Sequence, residues 1–279
     1  LSKLLRAIDS VGNSNHREYL LLAVSNCLCT NNLLTGYDYS YNKIQHIFKS
    51  NSFDPPQKPC EGNVWGATYG RGTFQSMWDL VVSGARYGNS PTERYVVDGE
   101  TTETEPFDQG IGENTTVLQG DMRQLEDENE FDAVITDPPY YDNVIYSELS
   151  DFFYVWQRVL LKDEYAAFEA EKTPRLESIV ANPAVQKGAQ EFEDELHQAF
   201  TKIRDALKQE GVLAFTYHHS NSESWGELLA ALCDVGFEVT ATYPISADSN
   251  KFFEGEAVSF DIAVVARPID DTDPTSWKS

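Results

Sequence analysis

Hydrophobic and polar positions along the chain change their rhythm near residue 115. Before that point the spacing is helical or absent. Residues 1 to about 50 read as helix, and "NSNHREYLLLAVSNCL", ending at Leu28, is too apolar in its middle for a surface helix and too polar at its flanks for a membrane one. From about 51 to 115 the chain is rich in Gly, Pro, Thr, Asn and Glu, with one helix-like island at 73–87. No internal repeat stands out.

After residue 115 short β-branched runs alternate with amphipathic ones. "TTVLQGD" (115–121) predicts a strand, "FDAVITD" (131–137) a buried strand, and 144–161 a helix with Ile145, Leu149, Phe152, Trp156 and Val159 at helical spacing. A second helix is predicted over 191–211, with Phe192, Leu196, Phe200, Ile203 and Leu207 on one face and Gly211 as its stop. "VLAFTY" (212–217) predicts a strand, 222–237 a helix ending near Gly236, and 237–245 and 259–267 two closing strands. Alternation of this kind predicts an α/β fold with a mostly parallel sheet covered by helices on both faces. The organisation expected is a helical and loop-rich region over 1–114, the α/β part over 115–268, and a tail over 269–279. Ligands of such sheets bind beyond the carboxyl ends of the strands.

Composition narrows the class. In 279 residues 41% are hydrophobic, enough to bury a full core. "YLLLAV" (19–24) is far shorter than the roughly 18 residues a bilayer requires, so no membrane partner is expected. Cys27, Cys29, Cys60 and Cys233 form neither a C-x-x-C pair nor a disulfide framework, which points to the reduced cytoplasm and away from a zinc site. Forty-five acidic against 21 basic residues give a net charge of −24, spread along the length, yet 12% of residues are aromatic, too many for an acidic disordered chain. An acidic solvated surface, as in proteins of salt-loving organisms, is one reading; nucleic-acid mimicry or a basic partner is the other. Such charge opposes DNA binding at low salt, and the objection weakens at molar salt, where counterion release contributes little.

Chemistry concentrates in "AVITDPPYYDN" (133–143). Asp137 falls at the carboxyl end of a predicted strand. Pro138 and Pro139 lack N–H groups and hold φ near −65°, so the chain leaves the sheet rigidly. The Asp137 carboxylate and the Pro138 carbonyl can then accept hydrogen bonds from one exocyclic amine, while Tyr140 offers a ring for a flat base extruded from a nucleic-acid stack. The plain alternative is a turn with its tyrosines in the core. His218 and His219 follow a strand near the same edge; adjacent residues point to opposite faces, so a shared metal is not expected, and one of them contacts substrate or phosphate or serves only the loop.

"DPPY" (137–140) resembles motif IV of the amino-methyltransferases, which move a methyl group from S-adenosyl-L-methionine to the exocyclic nitrogen of adenine or cytosine. The longer runs 137–156, 211–219 and 235–245 resemble the large prokaryotic adenine-specific DNA methylases, some of which carry a zinc ribbon and sit among phage-defence genes; "GRGTFQSMWDL" (70–80) resembles them more weakly. The resemblance implies a Rossmann-like methyltransferase sheet, S-adenosyl-L-methionine as cofactor, and a flipped adenine of DNA as substrate. It implies that Asp137 and the Pro138 carbonyl hold the target amine, that Pro139 shapes the loop, and that Tyr140 stacks on the base. "LQGDM" (118–122) resembles motif III, which would place Asp121, with Met122, by the adenine or ribose end of the cofactor; a strand-terminal Asp is the alternative. Tyr141, Asp142 and Asn143 continue the loop, in contact with the base and its strand or in a structural role. The reaction implied needs alignment of amine, methyl and sulfur rather than a metal.

One family feature is missing. The glycine-rich Asp-Pro-Phe-x-Gly-x-Gly segment that cradles the cofactor's methionine part is not found; "YGRGTF" (69–74) and "DQGIGEN" (108–114) are weak candidates without an apolar strand before them. The first strands of the sheet are therefore expected to be absent, and with Leu1 in place of Met the chain reads as the carboxyl-terminal part of a longer enzyme. Residues 1–70, a missing segment or a partner chain would close the pocket. A base-binding module inactive on its own, and a methyltransferase of RNA or of N4-cytosine, stay open beside the adenine reading.

Overall fold

The computed structural model describes residues 1–48, 55–66, 71–139, 141, 144–217, 222–246 and 260–269. They divide into two compact units, Leu1–Leu118 with Leu149–Thr173, and Gln119–Glu148 with Pro174–Ser279. Among the described residues no helix is long and apolar enough to cross a membrane.

The first unit opens with α1 (Ser2–Asp9) and α2 (Ser14–Leu28). Asn13 caps α2 by accepting the His16 N–H at 3.0 Å, and Leu21, Ala23, Val24, Cys27 and Leu28 bury its inner face. Residues past Leu28 are not helical as expected; they turn into the two-residue strands β1 (Tyr37–Asp38) and β2 (Lys43–Ile44). The island at 73–87 forms α3 (Phe74–Asn89), whose N-cap Thr73 accepts from the Ser76 N–H. The loop-rich stretch also holds a hairpin, β3 (Arg94–Val97) and β4 (Glu100–Glu103). Its turn residues Asp98 and Gly99 both have positive φ, 52° and 83°, the geometry that a two-residue hairpin turn demands.

In the second unit β5 (Phe131–Thr136) lies parallel to β6 (Leu207–Tyr217), with Ala133 against Val212 and Thr136 against Phe215. Between them in sequence run α4 (Tyr146–Leu161), which belongs to both units, and α5 (Ala189–Ala206). Then follow α6 (Ser222–Asp234), β7 (Phe237–Ser246) and β8 (Phe260–Pro268). The sheet order is β5-β6-β8-β7. Residues 115–268 are thus not one compact piece, because 149–173 packs with the amino-terminal unit: Trp156, Leu160, Leu161 and Phe168 join the cluster of Leu4, Leu5, Ile8, Leu21 and Val24, and Gln157 donates to Ser25 Oγ at 2.9 Å.

The expected parallel sheet is corrected to a mixed one. Strand–helix–strand passage does give the parallel β5–β6 pair, but β8 enters antiparallel between β6 and β7. Three strands still point one way. The coverage is corrected too. Leu213, Phe215, Tyr217, Val264 and Ala266 face Phe192, Leu196, Phe200 and Ile203 of α5 and Leu228 and Leu232 of α6 in one buried cluster. α5 and α6, the two helices lying wholly within this unit, therefore share one face of the sheet. The opposite face carries Ala133, Ile135, Val212, Ala214, Thr216, Ala263 and Val265, alternating with the buried set.

Two boundaries also move. Residues 115–121 form no strand: Val117 and Leu118 are 89% and 84% exposed, and the stretch does not pair with the free side of β5, which is the edge of its sheet among the described residues. The helix predicted to reach Gly211 ends at Ala206, because Leu207 turns extended (φ −75°, ψ 139°) and drives its side chain into the core. Gly211 then sits in an irregular stretch of β6 opposite Phe131 and Ala133, where a β-carbon would come within 2.8 Å of the Lys208 carbonyl. At the other end Gly236, with φ +90°, closes α6 near the expected stop.

The core assignment is testable by urea unfolding. Leu213→Ala, at a fully buried position, is expected to lower stability by about 2–5 kcal/mol, whereas Leu118→Ser, exposed as above, should stay within about 0.5 kcal/mol of the parent.

Candidate functional site

Parallel pairing of β5 and β6 brings the ends of both strands to one edge, and the corner Asp137-Pro138-Pro139 leaves the sheet there. Asp137 is exposed, Pro138 buried and Pro139 half-buried. Asp137 follows Ile135 in alternation and shares the open face of the sheet with Thr216 of β6. The Thr216 hydroxyl donates to Asp137 Oδ1 at 2.5 Å. Tyr146, in the first turn of α4, lies close enough to feel the same charge: burial first, and the Asp137 carboxylate second, push its phenol pKa up, so at neutral pH it keeps its proton.

Past the prolines the chain is held by Tyr141. Its backbone is left-handed, φ +53°, a conformation that costs a side-chain-bearing residue about 1–2 kcal/mol. The contacts that hold it there are specific: the ring meets Phe192 of α5 edge-on at 5.3 Å, and its carbonyl accepts the Ala181 N–H at 3.2 Å. Tyr141, expected as a loop residue near the base, is thus half-buried against the core cluster. Tyr140, Asp142, Asn143, His218 and His219 lie outside the described residues. The residue before the two histidines, Tyr217, is buried with its ring 4.7 Å from Trp225, and burial together with Glu227 pushes its phenol up to about 12.

Asp121 stands in a different setting. It caps a 3-10 turn, Met122–Gln124, and accepts the Arg123 N–H at 2.9 Å. The Arg123 guanidinium also grips it, with Nε 3.0 Å from one oxygen and a terminal nitrogen 2.6 Å from the other. Arg123 further reaches Glu195 of α5 at 2.9 Å and the Glu177 carbonyl at 2.8 Å. Glu195 in turn pairs with the buried Lys187, whose ammonium donates to the Leu176 and Ser178 carbonyls at 3.0 and 2.6 Å. Two acids and two bases close a neutral cluster. The Arg123 hydrogen bonds, against some cost of burial, hold the Asp121 carboxyl below its ordinary value of 3.8. Met122 beside it is 37% exposed.

The corner offers a carboxylate acceptor at Asp137, and the residues expected to hold a cofactor are otherwise engaged. Asp121 spends its carboxylate on Arg123. Of the two weak glycine segments, Gly72 is pressed against Thr30, where a β-carbon would come within 1.8 Å of the hydroxyl, and Gly110 and Gly112 follow the wholly exposed strand β4 by way of a loop, with no buried strand leading into them. The described residues therefore do not supply a cradle for the methionine part of S-adenosyl-L-methionine.

Sequence reasoning missed Thr216, Tyr146 and the partners of Asp121. Thr216 was within reach: it is the outward residue one step before the end of "VLAFTY", at the height of Asp137 once β5 and β6 are paired. Lys187 and Glu195 carried no signal, since each is one charge among many until the chain folds.

No family model matches the chain, and no curated protein does. Among solved structures, the Thermus thermophilus protein TTHA0409, assigned as a DNA modification methylase, matches as its selenomethionine derivative with 14% identity over 53% of this chain and 50% of that one, at a TM-score of 0.30. Its form complexed with S-adenosyl-L-methionine matches with 16% identity over 56% and 57%, at a TM-score of 0.29. The chain spans little more than half the length of either. At these scores the likeness carries no weight for fold or function.

The ionic cluster gives a prediction with a definite sign. Asp121 is held below its ordinary value, so its contribution is full above that value and fades as pH falls through the lower one. Asp121→Asn should cost roughly 1.5–3 kcal/mol in urea unfolding at neutral pH, and the gap between variant and parent should shrink progressively below about pH 4.

Proposed function

We propose that this chain binds a base extruded from DNA and presents its exocyclic amine, N6 of adenine, for methylation with S-adenosyl-L-methionine. The observation that carries the proposal is the corner at the end of β5: Asp137 exposed on the open face of the sheet, gripped by Thr216, and followed by two prolines, with Tyr141 beyond them anchored by its ring on Phe192. A carboxylate and the Pro138 carbonyl at a rigid corner hold an amine by two accepted hydrogen bonds, drawing electron density onto its nitrogen and fixing its direction of attack. Asp137 acts by hydrogen bonding and charge stabilisation, and takes up the proton after the nitrogen has become cationic. Tyr140 supplies the stacking ring. When bound, the cofactor supplies an already activated methyl group; its methionine part is held by residues other than those described here.

That division favours a second reading, in which the chain is a base-binding module that works only with a further segment or partner. The committed Asp121 and the absent glycine cradle are the observations behind it. Calorimetric titration with S-adenosyl-L-methionine at molar salt separates the two: binding by the 279-residue chain supports the complete enzyme, and no binding supports the module. RNA and N4-cytosine substrates are separated by offering each to the active preparation.

Asp137→Ala should lower methyl transfer to DNA by about 100-fold or more without changing the unfolding midpoint, because the side chain is exposed. Transfer at near-parental rate in that variant would remove Asp137 from the site.

A further inference from the structure

We infer that Thr216 is a positioning residue for Asp137, setting the rotation of its carboxylate and thereby the direction in which the substrate amine is received. The inference rests on the reading of Asp137 given above and adds a residue to which neither the sequence motif nor the resemblance assigns a part.

The argument is geometric. An aspartate at the end of an edge strand, followed by proline, has its backbone fixed, and the rotation of an exposed carboxylate is then set by the hydrogen bonds made to it. Within one hydrogen bond of it, β6 offers a β-branched hydroxyl. Thr216 is half-buried one residue before the end of β6, still within the ladder: it lies opposite Ala263 of β8 and next to Phe215, which pairs with Thr136 of β5. β-Branching leaves the threonine few rotamers, so its hydroxyl is a stiff donor on a rigid strand. Donation to Oδ1 turns that stiffness into a fixed carboxylate plane. Hydrogen bonds to charged groups are the strong ones, and a two-point contact with an amine is sensitive to rotation of the acceptor. Tyr146, near the same carboxylate on α4 and in its neutral form, adds a second wall from another element.

The roles predict different variants. Thr216→Val keeps shape and branching but removes the donor; Thr216→Ser keeps the donor. With tritiated S-adenosyl-L-methionine and adenine-containing duplex DNA, Thr216→Val should lower kcat roughly 10- to 100-fold with KM for DNA within about twofold, and Thr216→Ser should recover most of it, both with the parental unfolding midpoint. A merely structural hydroxyl would move the midpoint and leave kcat alone, which overturns the inference. If Asp137→Ala abolishes transfer while Thr216→Val does not, the inference falls and the proposed function stands; if Asp137→Ala is active, the proposed function falls.

A readout without turnover settles the case where the chain alone transfers no methyl. In protein labelled with 13C at aspartate carboxyls, the Asp137 resonance, assigned through Asp137→Asn, should shift in Thr216→Val and return in Thr216→Ser. An unchanged resonance in the valine variant overturns the inference.

Discussion

The parallel ladder between β5 and β6 is the constraint on which the second unit depends. Its register decides which residues of β6 look into the core and which look out, and it brings the two strand ends to a common edge. From that one pairing follow the burial of Leu213, Phe215 and Tyr217 under α5 and α6, and the placing of Thr216 beside Asp137. A slip by one residue would exchange these sets, exposing large apolar side chains and burying a threonine without a partner. Since each fully buried apolar side chain is worth about 1.5–3 kcal/mol, the core leaves no second register open. The precision of the polar corner is therefore inherited from apolar packing on the other side of the sheet.

Charge is handled locally in a chain whose total is −24. Arg123 and Lys187 are drawn inward to Asp121 and Glu195, and with the carbonyls of residues 176–178 they tie the segment before β5 to α5. Cations held this way cannot serve phosphates. Salt would screen the repulsion between so acidic a chain and any other polyanion; at molar salt the screening length is only about 3 Å.

How much of this could be read in the amino acids differs from element to element. Helices α3, α4 and α6 and strands β5 and β7 stand close to where periodicity put them, although α3 has no buried residue and β5, expected as a buried strand, is exposed or half-buried along its length. The exit from the sheet at 137–139 was legible because two prolines cannot continue a hydrogen-bonded strand. Local pattern does not report partners, and the misreadings share that cause. "TTVLQGD" has the composition of a strand, yet it stays exposed and leaves the open edge of β5 unpaired. Leu207 has helical spacing, yet its side chain is captured by the core one residue past the helix. β8 reads as one more strand, and nothing within it says that it runs backward between β6 and β7. The hairpin Arg94–Glu103 is the opposite case, an Asp-Gly turn between strand-forming residues that was open to reading and lay within a stretch taken as loop.

Tyr141 shows two demands that no residue meets together. Its backbone would be easiest for glycine or asparagine, and its place against Phe192 calls for an aromatic ring. Local frustration of this kind persists where a tense joint is worth more than a relaxed one. Glycine would ease the turn and let the corner swing, while phenylalanine would keep both the tension and the anchor. The position thus works like a sprung hinge pin set just behind the proline corner.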